Sequence, residues 1–400
     1  MNEVVVVGAC RTPIGKFLGS LKDVTARHLA VTVGKEAIKR AGVDPSTIDE
    51  IVMGQVYQHM QDSLPARAVG LACGLPHRSA AMVVNQNCSS AMRAVEIAAH
   101  KIMLGKTEIA LTVGVENMTR VPYMIPNGRT GYRMGSGELV DALLHDALYD
   151  ALVPGHMGLT AENVAKEYNI TREECDQLAL MSHQRAANAV NSGAFDEEII
   201  PVEIKSKKGT TYFSKDEHFI PDANLEAMSK LKPAFKPDGG VVTAANASGI
   251  NDGAAALVLM SKKKAEELGL KPLAKLINIV DVGVDPQVMG IGPAVAIPQC
   301  LNEAGLKASD IDYWEINEAF APQFIGCERK LKKDYNIEIS RDNVNHYGSG
   351  IALGHPIGCT GIRIIVTLLY EMKRKGYTNG GASLCVGTGP AMASLWTTKI

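Results

Sequence analysis

Residues 88–118 read CSSAMRAVEIAAHKIMLGKTEIALTVGVENM, and residues 358–392 read GCTGIRIIVTLLYEMKRKGYTNGGASLCVGTGPAM. In both stretches, small polar residues precede a helical segment that carries an arginine, and a glycine-containing apolar strand follows. The matching positions are Arg93 with Arg363 and, after a short insertion, Gly114 with Gly387. Few residues are identical between the two stretches, but the spacing and the order of their elements agree, which is typical of an internal duplication. The two stretches therefore predict an α/β protein built from two similar halves.

The rest of the chain divides into regions of different residue pattern. Apolar strand patterns are EVVVVGA (3–9), EIVMGQVY (50–57), EIALTVGVEN (108–117), AAALVLMS (254–261) and LAKLINIVDV (273–282), and helical patterns include ARHLAVTVGKEAIKRAG (26–42). Residues 121–245 are instead turn-rich and polar around one predicted helix, Thr171 to Asn191, which opens with a capping box ending at Glu174. We predict that residues 1–120 and 246–270 form the first half, 121–245 an inserted loop domain, and 271–400 the second half.

Composition narrows the class of protein. The 400 residues are too many for one simple core, and 46% hydrophobic with 21% charged residues is ordinary for a soluble enzyme. A net charge of −2 gives no reason to expect nucleic acid or membrane partners. No signal peptide or run of ~20 apolar residues is present, so a cytoplasmic location is the default expectation. The eight cysteines form no C-x-x-C pair, and we expect no metal site.

Four segments carry reactive side chains. They are VVNQNCSSAM (83–92) with Cys88, EINEAFAPQF (315–324) with Asn317, GSGIALGHPIGCTGIR (348–363) with His355, and GASLCVGTGPAM (381–392) with Cys385 and Gly387. Each alone has a structural explanation, because a lone cysteine is often core filler and a glycine-flanked His-Pro is often a turn. Cys88 follows what reads as a buried strand and precedes a helix, where the helix field favours a thiolate.

Together, the four segments favour a catalytic role over a purely structural one. All fall at predicted strand ends or helix starts, where two α/β halves bring their loops into one crevice. A thiol at a helix start, a histidine to take its proton, a second thiol and free glycine amides are the parts of covalent catalysis with an oxyanion hole.

Four motifs in these segments resemble those of the thiolases. They are NQNCSSAMRA (85–94), NEAFA (317–321), ALGHPIGCTG (352–361) and CVGTG (385–389). Further similar segments are HMGLTAENVA (156–165), LKPAF (231–235), NASGINDGAAA (246–256) and MGIGP (289–293), so the resemblance covers the whole chain. It is strongest to the members that act on acetoacetyl-CoA. The resemblance implies a thiolase fold, in which the two halves pack as a layered αβαβα core and the inserted domain binds CoA.

The resemblance also implies a role for each reactive residue. Cys88 is the nucleophile that carries the acyl group, His355 takes its proton, and Cys385 moves a proton at C2 of acetyl-CoA. One oxyanion site uses His355 with a water held by Asn317, and the other uses the amides of Cys88 and Gly387. The implied reaction is the reversible conversion of two acetyl-CoA to acetoacetyl-CoA and CoA, with CoA and acyl-CoA as substrates and no permanently bound cofactor. A homodimer or homotetramer is implied as well.

Substrate contacts are implied for His156, Met157, Phe235, Ala247, Ser248, Met289 and Phe320. The basic run Lys205–Lys208 has two interpretations, contact with CoA phosphates or solvated surface, and solvated surface is favoured. The chain departs from the family pattern at Ala91 (usually Gly), Tyr347 (usually Asn), Thr388 (within a usual Gly-Gly-Gly run) and Ile220 (often an arginine that stacks on adenine). These departures bear on acyl-chain choice and CoA affinity.

Three other functions stay open. A broader 3-ketoacyl-CoA thiolase would accept longer or unusual acyl chains. A non-catalytic acyl-CoA-binding protein would share the fold, although such a protein would tolerate loss of Cys88, His355 or Cys385, and all three are present. A decarboxylating or hydroxymethylglutaryl-type condensing enzyme would carry a different acid–base group in place of Cys385.

Overall fold

The computed structural model describes residues 1–207 and 209–400, so Lys208, the last residue of the basic run, lies outside the described residues. The strands are β1 (Val4–Arg11), β2 (Gly15–Lys16), β3 (Glu50–Gly54), β4 (Ala80–Val84), β5 (Ile109–Asn117), β6 (Tyr123–Met124), β7 (Val140–Asp141), β8 (Tyr149–Asp150), β9 (Gly155–His156), β10 (Val202–Ser206), β11 (Gly209–Phe213), β12 (Asn251–Ser261), β13 (Ala274–Gly283), β14 (Tyr313–Ile316), β15 (Asn379–Cys385) and β16 (Pro390–Thr397).

The α-helices are α1 (Ala26–Ala41), α2 (Pro65–Ala72), α3 (Ser90–Met103), α4 (Gly158–Glu167), α5 (Arg172–Ser192), α6 (Leu225–Ser229), α7 (Lys262–Glu267), α8 (Pro293–Ala304), α9 (Ala321–Tyr335), α10 (Gly350–Leu353) and α11 (Thr360–Lys375). A π-helical turn spans Leu144–Leu148, and 3₁₀ turns lie at Pro45–Thr47, Met118–Arg120, Pro286–Ile291, Ala308–Asp310 and Arg341–Asn343. Across residues 1–207 and 209–400, no helix has both the length and the apolar character that a bilayer span requires.

The main sheet consists of two half-sheets that repeat one pairing pattern. In the first, β4, β3 and β5 are parallel neighbours, and β12 and β1 follow in antiparallel pairing. In the second, β14 and β15 are parallel, and β16 and β13 follow in antiparallel pairing. The half-sheets join through two residue pairs, Val5 with Lys275 and Val6 with Ala274. The predicted duplication of an α/β unit is therefore confirmed.

Helices α3 and α11 form the layer between the half-sheets. Helix α3 contacts β3 and β5, whereas α11 contacts β12 on one side and β15 on the other, and the two helices contact each other. Their apolar side chains form one continuous core with the inward-facing residues of both half-sheets. Helices α1 and α2 cover the outer face of the first half-sheet, and α8 and α9 that of the second. The layers are therefore α, β, α, β, α, as the resemblance implied.

Glycines allow the starts of α3 and α11 to approach closely. A Cβ on Gly361 would lie 2.5 Å from the backbone nitrogen of Met92, which is too close for any side chain. Because the two helix starts meet here, the loops that precede them are brought together. Those loops carry Cys88 and His355.

The inserted segment forms three separate two-stranded pairs among its described residues, β6-β7, β8-β9 and β10-β11. Helix α5 has the predicted capping box, in which Thr171 Oγ1 accepts from Glu174 N at 3.2 Å and Thr171 N donates to Glu174 Oε2 at 2.8 Å. Helices α4 and α5 pack on α9. The domain bounds at 120, 245 and 270 stay a prediction.

Two local predictions need correction. The strand before Cys88 is not buried, because β4 lies at the sheet edge and pairs with β3 alone, which leaves Ala80 and Met82 exposed. The strand predicted over residues 50–57 ends at Gly54. Beyond it, the amides of Val56 and Tyr57 donate to the Glu116 carboxylate at 3.0 and 3.1 Å instead of continuing the strand.

Candidate active site

Cys88 sits in a tight turn between β4 and α3. Asn87 adopts left-handed backbone with φ 46°, and Ser90 N donates to Asn87 O at 3.0 Å. Ser90 Oγ also accepts from Gln86 N at 2.9 Å, which closes the turn from inside. Of the eight cysteines, all within the described residues, Cys88 is the one that is partly exposed. The turn therefore leaves Cys88 partly exposed as a residue and keeps it close to the start of α3.

The Cys88 thiol is protonated at neutral pH. Burial raises its pKa to about 11, although the backbone amides of Gly387 and of Cys88 itself lie against the sulfur and lower the pKa. The amides favour a thiolate, but loss of water around the sulfur outweighs them, so the net shift is toward the thiol. Cys88 needs a base before it can act as a nucleophile.

We expect Cys88 to be the thiol that limiting iodoacetamide labels first near neutral pH. The pKa of enclosed thiols such as Cys10 and Cys300 is raised to about 12, and these side chains are fully buried. Because the thiolate is the reactive form, the labelling rate should rise about tenfold per pH unit from pH 7 to 10. Peptide mapping measures both. First labelling at Cys10 or Cys300, or a rate that is flat with pH, would contradict this prediction.

His355 is held by two hydrogen bonds that leave one ring nitrogen open. Its backbone N donates to Asn251 Oδ1 at 3.0 Å, and its Nδ1 lies 2.7 Å from Thr360 Oγ1. Thr360 Oγ1 can donate to Pro356 O at 3.0 Å, so it accepts from Nδ1–H and leaves Nε2 as a free base. Rotation of the hydroxyl lets it donate to Nδ1 instead, which places the ring proton on Nε2. Thr360 therefore supports both neutral tautomers.

The imidazole of His355 is neutral in this setting. Burial and, to a smaller extent, the nearby Arg363 guanidinium together lower its pKa to about 3. Its Nε2 is buried and has no hydrogen-bond partner among the described residues. An unpaired buried nitrogen of this kind is costly unless a ligand or a reacting group completes it.

Asn317 follows β14, and Cys385 is the last residue of β15, the strand parallel to it. Asn317 N donates to Ser383 O at 2.9 Å, which fixes the residue beside the end of β15. Both polar atoms of the Asn317 side chain are buried without a partner in the described part of the chain. Burial, with Cys88 nearby, raises the pKa of Cys385 well above its usual value. A thiolate formed at Cys385 is therefore a strong base.

One cavity of about 90 Å³ joins these groups. Cys88, His355, Cys385 and Gly387 line it, and so do all seven predicted substrate contacts: His156, Met157, Phe235, Ala247, Ser248, Met289 and Phe320. Asn317 is buried but is not among the lining residues. A larger surface cleft, about 380 Å³, lies elsewhere beside Arg27 and Arg120, and no cysteine lines it. The small cavity is therefore the candidate active site.

Aromatic residues narrow this cavity. The His156 ring stacks on Phe235 with ring centroids 4.5 Å apart, and Phe320 meets Phe235 edge-on at 6.2 Å. His156 Nδ1 accepts from Gly158 N at 3.0 Å, and burial lowers the pKa of His156 to about 4. A neutral aromatic wall of this kind suits a short uncharged acyl group.

Two family models match the chain, the thiolase N-terminal domain over residues 4–263 and the thiolase C-terminal domain over residues 270–398. The chain belongs to the thiolase family. Among curated relatives of this thiolase, acetyl-CoA acetyltransferase of Cupriavidus necator is 48% identical over 394 residues, 98% of each chain. The probable acetyl-CoA acyltransferase of Staphylococcus aureus is 44% identical, covering 99% of each chain.

Solved thiolase structures agree closely with this one. Acetyl-CoA acetyltransferase from Syntrophomonas wolfei is 60% identical, covers 99% of each chain and has a TM-score of 0.98. Human mitochondrial 3-ketoacyl-CoA thiolase in complex with CoA is 38% identical, with a TM-score of 0.93 over 100% of this chain and 98% of that chain.

The structure accounts for two of the departures from the usual thiolase pattern. The methyl group of Ala91 is accommodated because Gly114 faces it, where a Cβ would lie 2.6 Å away. The Tyr347 hydroxyl donates to Glu371 and accepts from Arg374 at 2.6 Å. Tyr347 does not line the cavity of about 90 Å³, so this departure is remote from the acyl group.

The other two departures differ in exposure and strain. Ile220 is exposed and donates its backbone N–H to His183 Nδ1 at 3.2 Å. Thr388 follows Gly387 with a left-handed φ of 74°.

Sequence reasoning missed several positioning residues of this thiolase. Asn251 and Thr360 hold His355, and Glu116 holds the loop after it by accepting from Gly358 N at 3.0 Å. Burial raises the pKa of Glu116 to about 8, against three backbone amides that lower it. Thr360 follows His355 by five residues and offered a local signal. Asn251 and Glu116 offered none, because both lie in strands far away along the chain.

Proposed function

We propose that this thiolase catalyses the reversible condensation of two acetyl-CoA to acetoacetyl-CoA and CoA, through an acetyl group carried on Cys88. The observation that carries the proposal is the small cavity onto which two thiols, an open imidazole nitrogen and a glycine amide converge. The names of the bacterial relatives support acetyl-CoA as the substrate. CoA and acyl-CoA act as substrates rather than as resident cofactors.

The first half-reaction transfers an acetyl group to Cys88. His355 Nε2 takes the Cys88 proton, the thiolate attacks the thioester carbonyl, and the CoA thiolate leaves with that proton. The amides of Cys88 and Gly387, which lie against the sulfur, donate to the oxyanion of the tetrahedral intermediate. Exchange of one thioester for another is nearly isoenergetic, so a cysteine can pass the acyl group on, whereas a serine ester would retain it.

The second half-reaction forms the carbon–carbon bond. After CoA has left, the Cys385 thiol gives up its proton to solvent, and the resulting thiolate removes a proton from C2 of a second acetyl-CoA. The enolate attacks the acetyl carbonyl on Cys88, the bond between that carbonyl and the sulfur breaks, and the released Cys88 thiolate takes up a proton. With its ring proton on Nε2, His355 donates to the enolate oxygen, together with a water held by Asn317. Two unpaired polar atoms on Asn317 support this role, because they are available for a water.

The test is thiolysis of a 3-ketoacyl-CoA series at fixed CoA. We expect kcat/KM to be higher for acetoacetyl-CoA than for a ten-carbon substrate, because the stacked rings of Phe235 and His156 narrow the cavity. A higher kcat/KM on the ten-carbon substrate would favour the broader thiolase instead. Absence of turnover on every chain length would favour a non-catalytic acyl-CoA-binding protein.

We also propose that the chain assembles as a homodimer or homotetramer. Strand β4 supports this proposal, because it ends the sheet with one side unpaired among the described residues and with Met82 exposed. An unpaired strand edge with apolar side chains is a template for pairing with another chain.

A further inference from the structure

Thr388 occupies a backbone position that favours glycine. Gly389 N donates to Val386 O at 3.1 Å, so Thr388 is the third residue of a turn and has φ 74° there. A positive φ at this position is what a type II turn requires, and glycine or asparagine normally supplies it. A β-branched residue with this backbone is a genuine outlier. The turn therefore needs support from its surroundings.

Two side chains from distant segments provide that support. Thr388 N donates to Asp150 Oδ2 at 3.2 Å, and Asp150 is buried at 3% exposure in the inserted segment. At the other end of the same peptide, Gly387 O accepts from Asn87 Nδ2 at 3.3 Å and from the Thr388 hydroxyl. The peptide between Gly387 and Thr388 is thus held at both ends.

This peptide links the two donors of the acyl oxyanion site. Asn87 immediately precedes Cys88, whose amide is one donor, and Gly387 supplies the other. A peptide fixed between them sets the separation of the two N–H groups. Oxyanion donors act through such fixed placement, because it is complete before charge develops.

We propose that Asp150 is a positioning residue of the oxyanion site, required because Thr388 stands where a glycine would hold the turn unaided. The inference rests on the proposed acetylation of Cys88. Asp150 acts through the Thr388 amide and touches no reacting atom. It also joins the inserted segment, which carries His156 and Met157, to the loop that carries Gly387.

The experiment is a double-mutant cycle of Asp150→Ala and Thr388→Gly, read as the single-turnover rate of Cys88 acetylation by acetyl-CoA. We expect Asp150→Ala alone to slow acetylation about tenfold, because misplaced catalytic groups lose rate steeply. In the Thr388→Gly background, Asp150→Ala should lower the acetylation rate less than about twofold. Thr388→Gly alone should acetylate within about twofold of the wild-type rate. Exchange of C2 hydrogens should stay within about twofold in all four proteins, because it uses the other oxyanion site.

Equal losses in both backgrounds would overturn the proposal, because Asp150 also accepts from Leu152 N at 2.7 Å and would then be serving that turn. No loss in either background would overturn it too. Urea unfolding of the same four proteins gives a second cycle, in which Asp150→Ala should lower the midpoint more when Thr388 is present. If wild type is not acetylated, the proposed function fails. The unfolding cycle alone then supports or overturns the proposal that Asp150 holds the turn at Thr388.

Asn336→Gly is the matched control. Asn336 caps the C-terminus of α9 with a left-handed φ of 53°, and it does not line the cavity of about 90 Å³. Relief of backbone strain there should raise the unfolding midpoint. It should leave both the acetylation rate and the effect of Asp150→Ala unchanged. A change in either would show that the cycle reports general stability, and this would overturn the proposal.

Discussion

Cys385→Ala is expected to lose exchange of the C2 hydrogens of acetyl-CoA with deuterated water by about 10²–10⁴-fold while Cys88 is still acetylated. Cys385 ends β15, lines the cavity and has a pKa raised by burial, so its thiolate is a strong base. In the proposed mechanism, acetylation uses Cys88, His355 and the amide donors, and the substitution leaves all of these in place. Condensation should be lost together with exchange, because no base remains to form the enolate.

Cys88→Ala is the reciprocal variant. It should form no acetyl-enzyme, because the nucleophile is gone, yet it should retain C2 exchange through Cys385. Intact mass spectrometry follows acetylation and NMR follows deuterium. Thermal unfolding of both variants checks that the fold persists. The assignment of the two thiols would be wrong if Cys385→Ala exchanged normally or if Cys88→Ala became acetylated in the active site.

Thr360→Val is expected to slow acetylation of Cys88 by about 10²-fold, which is the low end of what general base catalysis contributes. Valine keeps the shape of threonine and removes the hydroxyl that lies 2.7 Å from His355 Nδ1. Without that hydroxyl, no partner fixes which ring nitrogen of His355 carries the proton, and Nδ1 is left buried without a hydrogen bond. C2 exchange should fall as well, because the enolate site needs the other tautomer of the same ring.

Thr360→Ser is the control, because serine retains a hydroxyl that can donate to Pro356 O or accept from Nδ1. We expect it to acetylate within about threefold of wild type, since the general base is retained. Rapid-quench mass spectrometry compares the two variants at saturating acetyl-CoA. Comparable rates in Thr360→Val and wild type would show that the hydroxyl does not set the tautomer of His355. Equal losses in Thr360→Val and Thr360→Ser would point to packing instead.

The two α/β halves were predictable because each has the same local order of elements along the chain. The order of polar turn, arginine-bearing helix and glycine-containing strand recurs around residues 88–118 and 358–392, and the repeated pairing of parallel and antiparallel strands follows that order. The burial of β4 was not predictable. Val83 and Val84 read as core, but whether a strand has neighbours on one side or two depends on sheet order and not on its own residues.

The protonation state of the two reactive groups was also decided in three dimensions. The position of Cys88 before a helix predicted a thiolate, yet burial raises its pKa to about 11 and lowers that of His355 to about 3. The resting pair is thus thiol and imidazole. Desolvation depends on every segment that packs around the site, so neighbours in the sequence cannot reveal it.

By itself, the sequence determined the candidates for the chemistry of this thiolase, because Cys88, Asn317, His355 and Cys385 stand in short motifs whose glycines and turns are local. The tertiary structure decided which distant residues hold them. Asn251 lies 104 positions from His355, Glu116 lies 242 from Gly358, and Asp150 lies 238 from Thr388. Such partners meet because packed layers bring distant segments into hydrogen-bond range, and no periodicity along the chain encodes that meeting.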